Sequence, residues 1–149
     1  MPIHGKHSNG TQIITVVEDA VKIVYSSGSP TYKGHLAFKL TTTTLDISSM
    51  DAEPQRQKLG AFLIWICANT ASFNRKTQIR ALGTARTAMP FYRAMGFAPD
   101  PTELANAAGV LHGLEEAPPA ESMVSTWIGQ TGGVLNAAYA ACQGWRKVA

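Results

Sequence analysis

Charge is scarce in this chain: only 15% of its 149 residues are Asp, Glu, Lys or Arg, and the formal charge is +3. That excludes the dense Lys/Arg face of a nucleic-acid binder, although a mild positive balance suits an anionic small ligand. Cysteine is rarer still. Cys67 and Cys142 stand far apart without metal or redox spacing, so both read as buried small hydrophobes rather than a disulfide or a nucleophile. Long apolar runs are also missing. No stretch reaches the roughly eighteen residues of a membrane span, and no signal peptide precedes the first apolar segment. The expectation is a cytoplasmic protein with neither membrane nor nucleic acid as partner. His4 and His7 are spaced like a metal pair, but nothing nearby completes a site, so no metal is expected.

What is present is a hydrophobic fraction of 45%, enough for one domain spanning 1–149 to bury a core. Residues 1–10 are polar and turn-rich and read as a flexible arm. Residues 11–50 read as a β-meander. Its strands are Gln12 to Glu18, Val21 to Ser26, His35 to Thr42 and Thr43 to Met50, with Ser26 to Pro30 as a loop. The period changes at Gly60, where Phe62, Leu63, Ile66, Ala68, Ala71 and Phe73 recur at helical spacing. A strand from Gln78 to Thr84 follows. A helix from Arg86 to Met95 comes next, with Pro90 in its first turn and Gly96 as its stop. This order predicts a right-handed crossover with parallel strands. Beyond Phe97 the pattern predicts a helix from about Glu103 to His112 and a strand from Ser122 to Ile128. Gly132-Gly133 then precede a last helix, in which Val134, Ala138, Ala141 and Trp145 share a face. The fold class is α+β.

A polar turn, Gln55-Arg56-Gln57-Lys58-Leu59-Gly60-Ala61, opens the first helix. The first N–H groups of a helix lack intrahelical partners and its dipole favours negative charge, so Gln57 to Ala61 could cradle an anion beside Arg56 and Lys58. Taken alone, those residues fit an ordinary loop-to-helix junction better. A second segment, in which Ala88, Tyr92, Gly96 and Phe97 occupy fixed spacings, changes the balance. The pair resembles the acyl-CoA site of the GNAT-type N-acetyltransferases. Those carry a Gln/Arg-x-x-Gly-x-Gly/Ala turn and, some thirty residues on, an Ala-x-x-x-Tyr-x-x-x-Gly-Phe segment.

The resemblance covers about residues 45–97. It implies a GNAT-like mixed sheet, with an antiparallel N-terminal meander, a β-α-β-α acyl-CoA-binding core at 51–97 and a C-terminal extension at 98–149. It implies an N-acetyltransferase (acyltransferase) that uses acetyl-CoA as co-substrate and passes the acetyl group directly to an amine. Tyr92 resembles the tyrosine that donates a proton to the departing thiolate. Backbone groups of Ser49, Met50 and Asp51 would meet pantetheine where their strand splays from the next. Gln55, Arg56, Gln57, Lys58, Leu59, Gly60 and Ala61 would hold the pyrophosphate. Asp46 is the catalytic carboxylate of this reading, with Asp51, Glu53 and His35 as further bases.

The chain departs from the pattern in three places. Lys58 stands where the family has a glycine, and Ala85 where many members have an asparagine. Neither the turn after Val17 nor the segment from Ser26 to Gly34 can hold the two helices that normally shape the acceptor pocket. An open acceptor side suits a protein or peptide amine, or a non-catalytic GNAT-like module that binds proteins. A third reading is an α+β interaction protein with an accidental match, which a Gln78 to Thr84 strand paired antiparallel to its predecessor would support. The extension after Phe97 either rebuilds the acceptor side or forms a homodimer interface.

Overall fold

The computed structural model describes residues 3–27, 32–53 and 58–148. Five strands come first: β1 (Ile3–Ser8), β2 (Ile13–Glu18), β3 (Lys22–Ser26), β4 (Lys33–Leu40) and β5 (Thr44–Glu53). Each pairs antiparallel with the next. The turn side chains explain two of the reversals. Asn9 Oδ1 accepts from the N–H groups of Thr11 and Gln12, and Asp19 Oδ1 from those of Val21 and Lys22. Alternation then puts Ile14, Val16, Ile23, Tyr25, Leu36, Phe38, Leu45 and Ile47 on one buried face.

The expected flexible arm is corrected here, because residues 3–8 form β1. Its polar sequence concealed it, and Gly5 (φ 103) breaks the register between Ile3 and Gly5. Backbone pairing on both sides, to β2 and to a C-terminal strand, holds it in the sheet. Buried His7 packs edge-on against Phe62, with ring centroids 4.6 Å apart.

Helix α1 (Leu59–Phe73) is buried on nearly every side, which its apolar sequence demands. Strand β6 (Gln78–Ala81) returns parallel to β5, Thr44 to Ile47 facing Gln78 to Ala81. The antiparallel pairing that would have supported an accidental match is therefore absent. A 3₁₀ turn (Arg86–Ala88) leads into α2 (Met89–Ala94), with Pro90 in its first turn, and Gly96 follows at φ 91. Next come β7 (Ala98–Pro99) and α3 (Pro101–Leu111), whose start is capped by Asp100 accepting from Thr102 and Glu103. Strand β8 (Trp127–Gln130), α4 (Thr131–Ala141) and β9 (Arg146–Val148) complete the chain.

The nine-stranded sheet runs β7-β8-β6-β5-β4-β3-β2-β1-β9. The strand expected from Ser122 begins only at Trp127, because Ala120–Met123 form a 3₁₀ turn. Gly132 and Gly133 lie inside α4 rather than before it. Helices α1 and α4 pack together on the inner face. On the outer face, Ile13 and His35 are exposed, and Val24 and Ala37 are half-buried. Among the described residues no helix precedes Leu59, as the short connections required. No helix among them is long and apolar enough to cross a membrane.

Candidate functional site

Strand β5 has ten residues, β6 only four, and their partnership ends at Ile47 and Ala81. The last bond runs from Leu82 N–H to Ile47 O at 3.0 Å. Ser48 follows at once as a β-bulge: Ala37 faces Ser49 while Phe38 faces Ile47. Bulges bend a strand and strengthen its twist. From Ser48 onward β5 keeps only β4 as neighbour among the described residues, and its other edge opens.

Helix α1 starts in that opening. Lys58 sits before it at φ 63, and the first intrahelical bond is Phe62 N–H to Lys58 O at 3.0 Å. The N–H groups of Leu59, Gly60 and Ala61 therefore precede the helical ladder. A cavity of about 630 Å³ lies there, walled by Met50 to Ala52, by Lys58 to Ala61, and by Ala88, Phe91 and Met95 from the α2 side. A Cβ on Gly60 would come within 3.3 Å of the Phe91 ring, so a larger residue would narrow the passage.

The expected site residues distribute unevenly around this cavity. Met50, Asp51, Lys58, Leu59, Gly60 and Ala61 line it. Gln55, Arg56 and Gln57 lie outside the described residues. Ser49 is exposed and does not line the cavity; its Oγ is 3.3 Å from His35 Nε2. Lys58 Nζ donates to Gln143 O at 3.1 Å, so its charge reaches the end of α4. Glu53 pairs with Lys33 at 3.5 Å.

Tyr92 is buried beside Phe91 and Phe97, at centroid distances of 5.4 and 5.2 Å, and does not line the cavity. Burial first, and then the neighbouring Cys67, push its hydroxyl up to about 12. Asp46 is placed differently from the expectation of a catalytic carboxylate. Burial would raise its pKa, but hydrogen bonds from Arg80 and Thr44 outweigh burial and hold it below the usual range. Arg80 grips both carboxylate oxygens, at 2.8 and 2.6 Å, and Thr44 Oγ1 adds a third bond at 2.8 Å. The two residues are register partners across β5 and β6, so Asp46 fastens the parallel pair just before it splits. Asp51 is the carboxylate that the cavity wall does contain.

Phe91 and Met95 escaped sequence reasoning as wall residues. A signal existed, because Ala88, Phe91 and Met95 fall at i, i+3 and i+7 on one helical face while Tyr92 points inward. Cys67 and Cys142 are both free and buried, as their isolation suggested.

No protein-family profile and no curated protein sequence matches this chain. Solved structures do. The N-acetylglutamate synthase from Neisseria gonorrhoeae, solved with coenzyme A and L-arginine, superposes with a TM-score of 0.50 at 15% identity over 73% of this chain. Tetrahymena GCN5 superposes with a TM-score of 0.50 at 9% identity over 76% of it. The chain spans 24% of the length of the first and 70% of the second. At such identities the likeness is one of fold. With a parallel β5–β6 pair splayed over a helix start, it establishes that this chain has the GNAT-type acetyltransferase fold, with no helix among the described residues of its first five strands.

Proposed function

We propose that the chain is an acyl-CoA-dependent N-acetyltransferase that moves the acetyl group of acetyl-CoA directly to an amine. The observation that carries this is the cavity between the open edge of β5 and the start of α1. One end offers helix N–H groups to a pyrophosphate, and the strand edge offers backbone partners to the amides of pantetheine. Coenzyme A bound to the gonococcal synthase supports the same use of the fold.

In the reaction, the amine nitrogen bonds to the thioester carbon and the carbon–sulfur bond breaks. The thiolate leaves and the nitrogen gives up a proton. Asp51 is the cavity's own carboxylate and takes that proton in this reading. Tyr92 stays protonated at neutral pH and acts as a hydrogen-bond donor from behind Phe91. Burial favours the neutral hydroxyl and so disfavours complete proton transfer to the thiolate. Its part is therefore to stabilise the leaving sulfur.

A protein or peptide amine is favoured as acceptor, because among the described residues no helix precedes Leu59 to wall in the acceptor side. A homodimer through 98–149 and a cytoplasmic setting belong to the same proposal, the latter supported by two free thiols. A non-catalytic binding module is the second reading, favoured by Lys58 turning to Gln143 and by Tyr92 lying off the cavity. Incubation with acetyl-CoA and lysine-containing peptides decides between them. Release of free thiol with peptide acetylation supports the enzyme, while binding without turnover supports the module.

A further inference from the structure

A second cavity, of about 410 Å³, borders the first through Lys58: the residue lines one, and its ammonium holds the backbone of Gln143 in the wall of the other. The wall is aromatic through Trp65 of α1, Tyr139 of α4 and Trp145, and basic through Arg146 and Lys147 of β9. No acidic side chain is among the described lining residues. Trp145 is packed against Tyr32 and Phe62 in the core. The Trp65 and Tyr139 rings instead stand 6.2 Å apart at 45°, with Tyr139 57% exposed. An accessible ring pair beside two cations suits a planar base that carries phosphate. The C-terminal end of α4 would repel an anion, yet one carbonyl of its last turn and one just beyond it are occupied. Tyr139 O accepts from Gln143 Nε2 at 3.0 Å, and Gln143 O from Lys58 Nζ at 3.1 Å.

We propose that this cavity takes the nucleotide end of acyl-CoA, the adenine on Tyr139 and Trp65 and the ribose phosphate at Arg146 and Lys147. The inference rests on the acyl-CoA reading above and deepens it. Charge complementarity and continuity with the first cavity through Lys58 select this occupant over an acidic peptide.

Isothermal titration with acetyl-CoA, its analogue lacking the ribose phosphate, and acetyl-pantetheine tests it. The wild-type chain binds acetyl-CoA about tenfold or more tightly than either truncated ligand. Tyr139→Ala lowers acetyl-CoA affinity about tenfold, in line with the loss of one base–aromatic stack, and leaves acetyl-pantetheine unchanged. Lys147→Ala removes the preference for the ribose phosphate. Both side chains are exposed, so unliganded melting temperatures should match the wild type. If both variants bind acetyl-CoA like the wild type, the nucleotide assignment is overturned and the acyl-CoA reading stands. If the wild type binds none of the three, both fall. Binding of an acidic aromatic peptide that Tyr139→Ala abolishes, with no acetyl-CoA effect, also overturns the assignment.

Discussion

At Gly60 the missing side chain leaves room between the start of α1 and the Phe91 ring, which a Cβ would approach to 3.3 Å. Gly60→Glu adds bulk and negative charge at the helix N–H groups, and should abolish acetyl-CoA binding in a titration. Tyr92→Phe should leave that binding within about twofold and slow turnover about tenfold, as measured by thiol release. An unchanged rate removes the hydroxyl from the chemistry. Because the folded-state pKa of Tyr92 is raised, the neutral form is favoured in the fold. Stability is therefore retained below the ordinary tyrosine value near 10 and falls as pH rises towards about 12. Asp46 works in the other direction. Its lowered pKa makes its contribution present above roughly pH 4 and lost as pH falls further. Asp46→Asn should cost about 2 kcal/mol at neutral pH, a figure reduced because Arg80 is partly exposed. Its melting temperature should also lose that acid-side decline. The carboxylate of Asp46 was plain in the sequence, but its partner was not. Arg80 lies 34 residues away, and only the parallel register brings the two together.

Among the elements, α1 was legible because Phe62, Leu63, Ile66, Ala68 and Ala71 recur at helical spacing, and its start at Leu59 falls within a residue of the expected Gly60. The strands β2 to β5 were legible from alternation and from the Asn and Asp turns. Strands β1 and β9 were not, since both are polar and lack the apolar alternation that marks β2 to β5; backbone pairing of β1 with β2 and β9, and buried His7, hold them in the sheet. The short 3₁₀ turns carry no period at all. The motif residues Gly60, Tyr92 and Gly96 pointed to the right junctions, yet Phe91, one residue from the motif tyrosine, lines the cavity. Gly34 gives a test of the strand that carries this site. A Cβ there would meet Asp51 O at 2.6 Å and the Tyr25 ring at 2.5 Å. Gly34→Ala should push β4 away from β5 at the cavity edge and cost about 2–3 kcal/mol, seen in chemical denaturation. Acetyl-CoA affinity should fall with it, since Asp51 sits in both places.

At the scale of the molecule, β1 and β9 pair at one edge of the sheet, while the splay of β5 from β6 opens it near the middle. The paired edge stabilises and the splay binds. Removing 146–149 should strip β1 of its outer partner and lower the melting temperature by several degrees. In this account it should also weaken acetyl-CoA through the loss of Arg146 and Lys147. In the proposed function, the cavity at the head of α1 is an acyl-CoA site. A thermal-shift titration of the purified chain with acetyl-CoA, with adenosine diphosphate as the comparison ligand, addresses it directly. Ligand at a hundred times its dissociation constant stabilises the folded state by about 2.7 kcal/mol, or roughly 5 °C or more for a domain of this size. The expected result is that rise with acetyl-CoA and a smaller one with adenosine diphosphate. No shift at millimolar acetyl-CoA would contradict it.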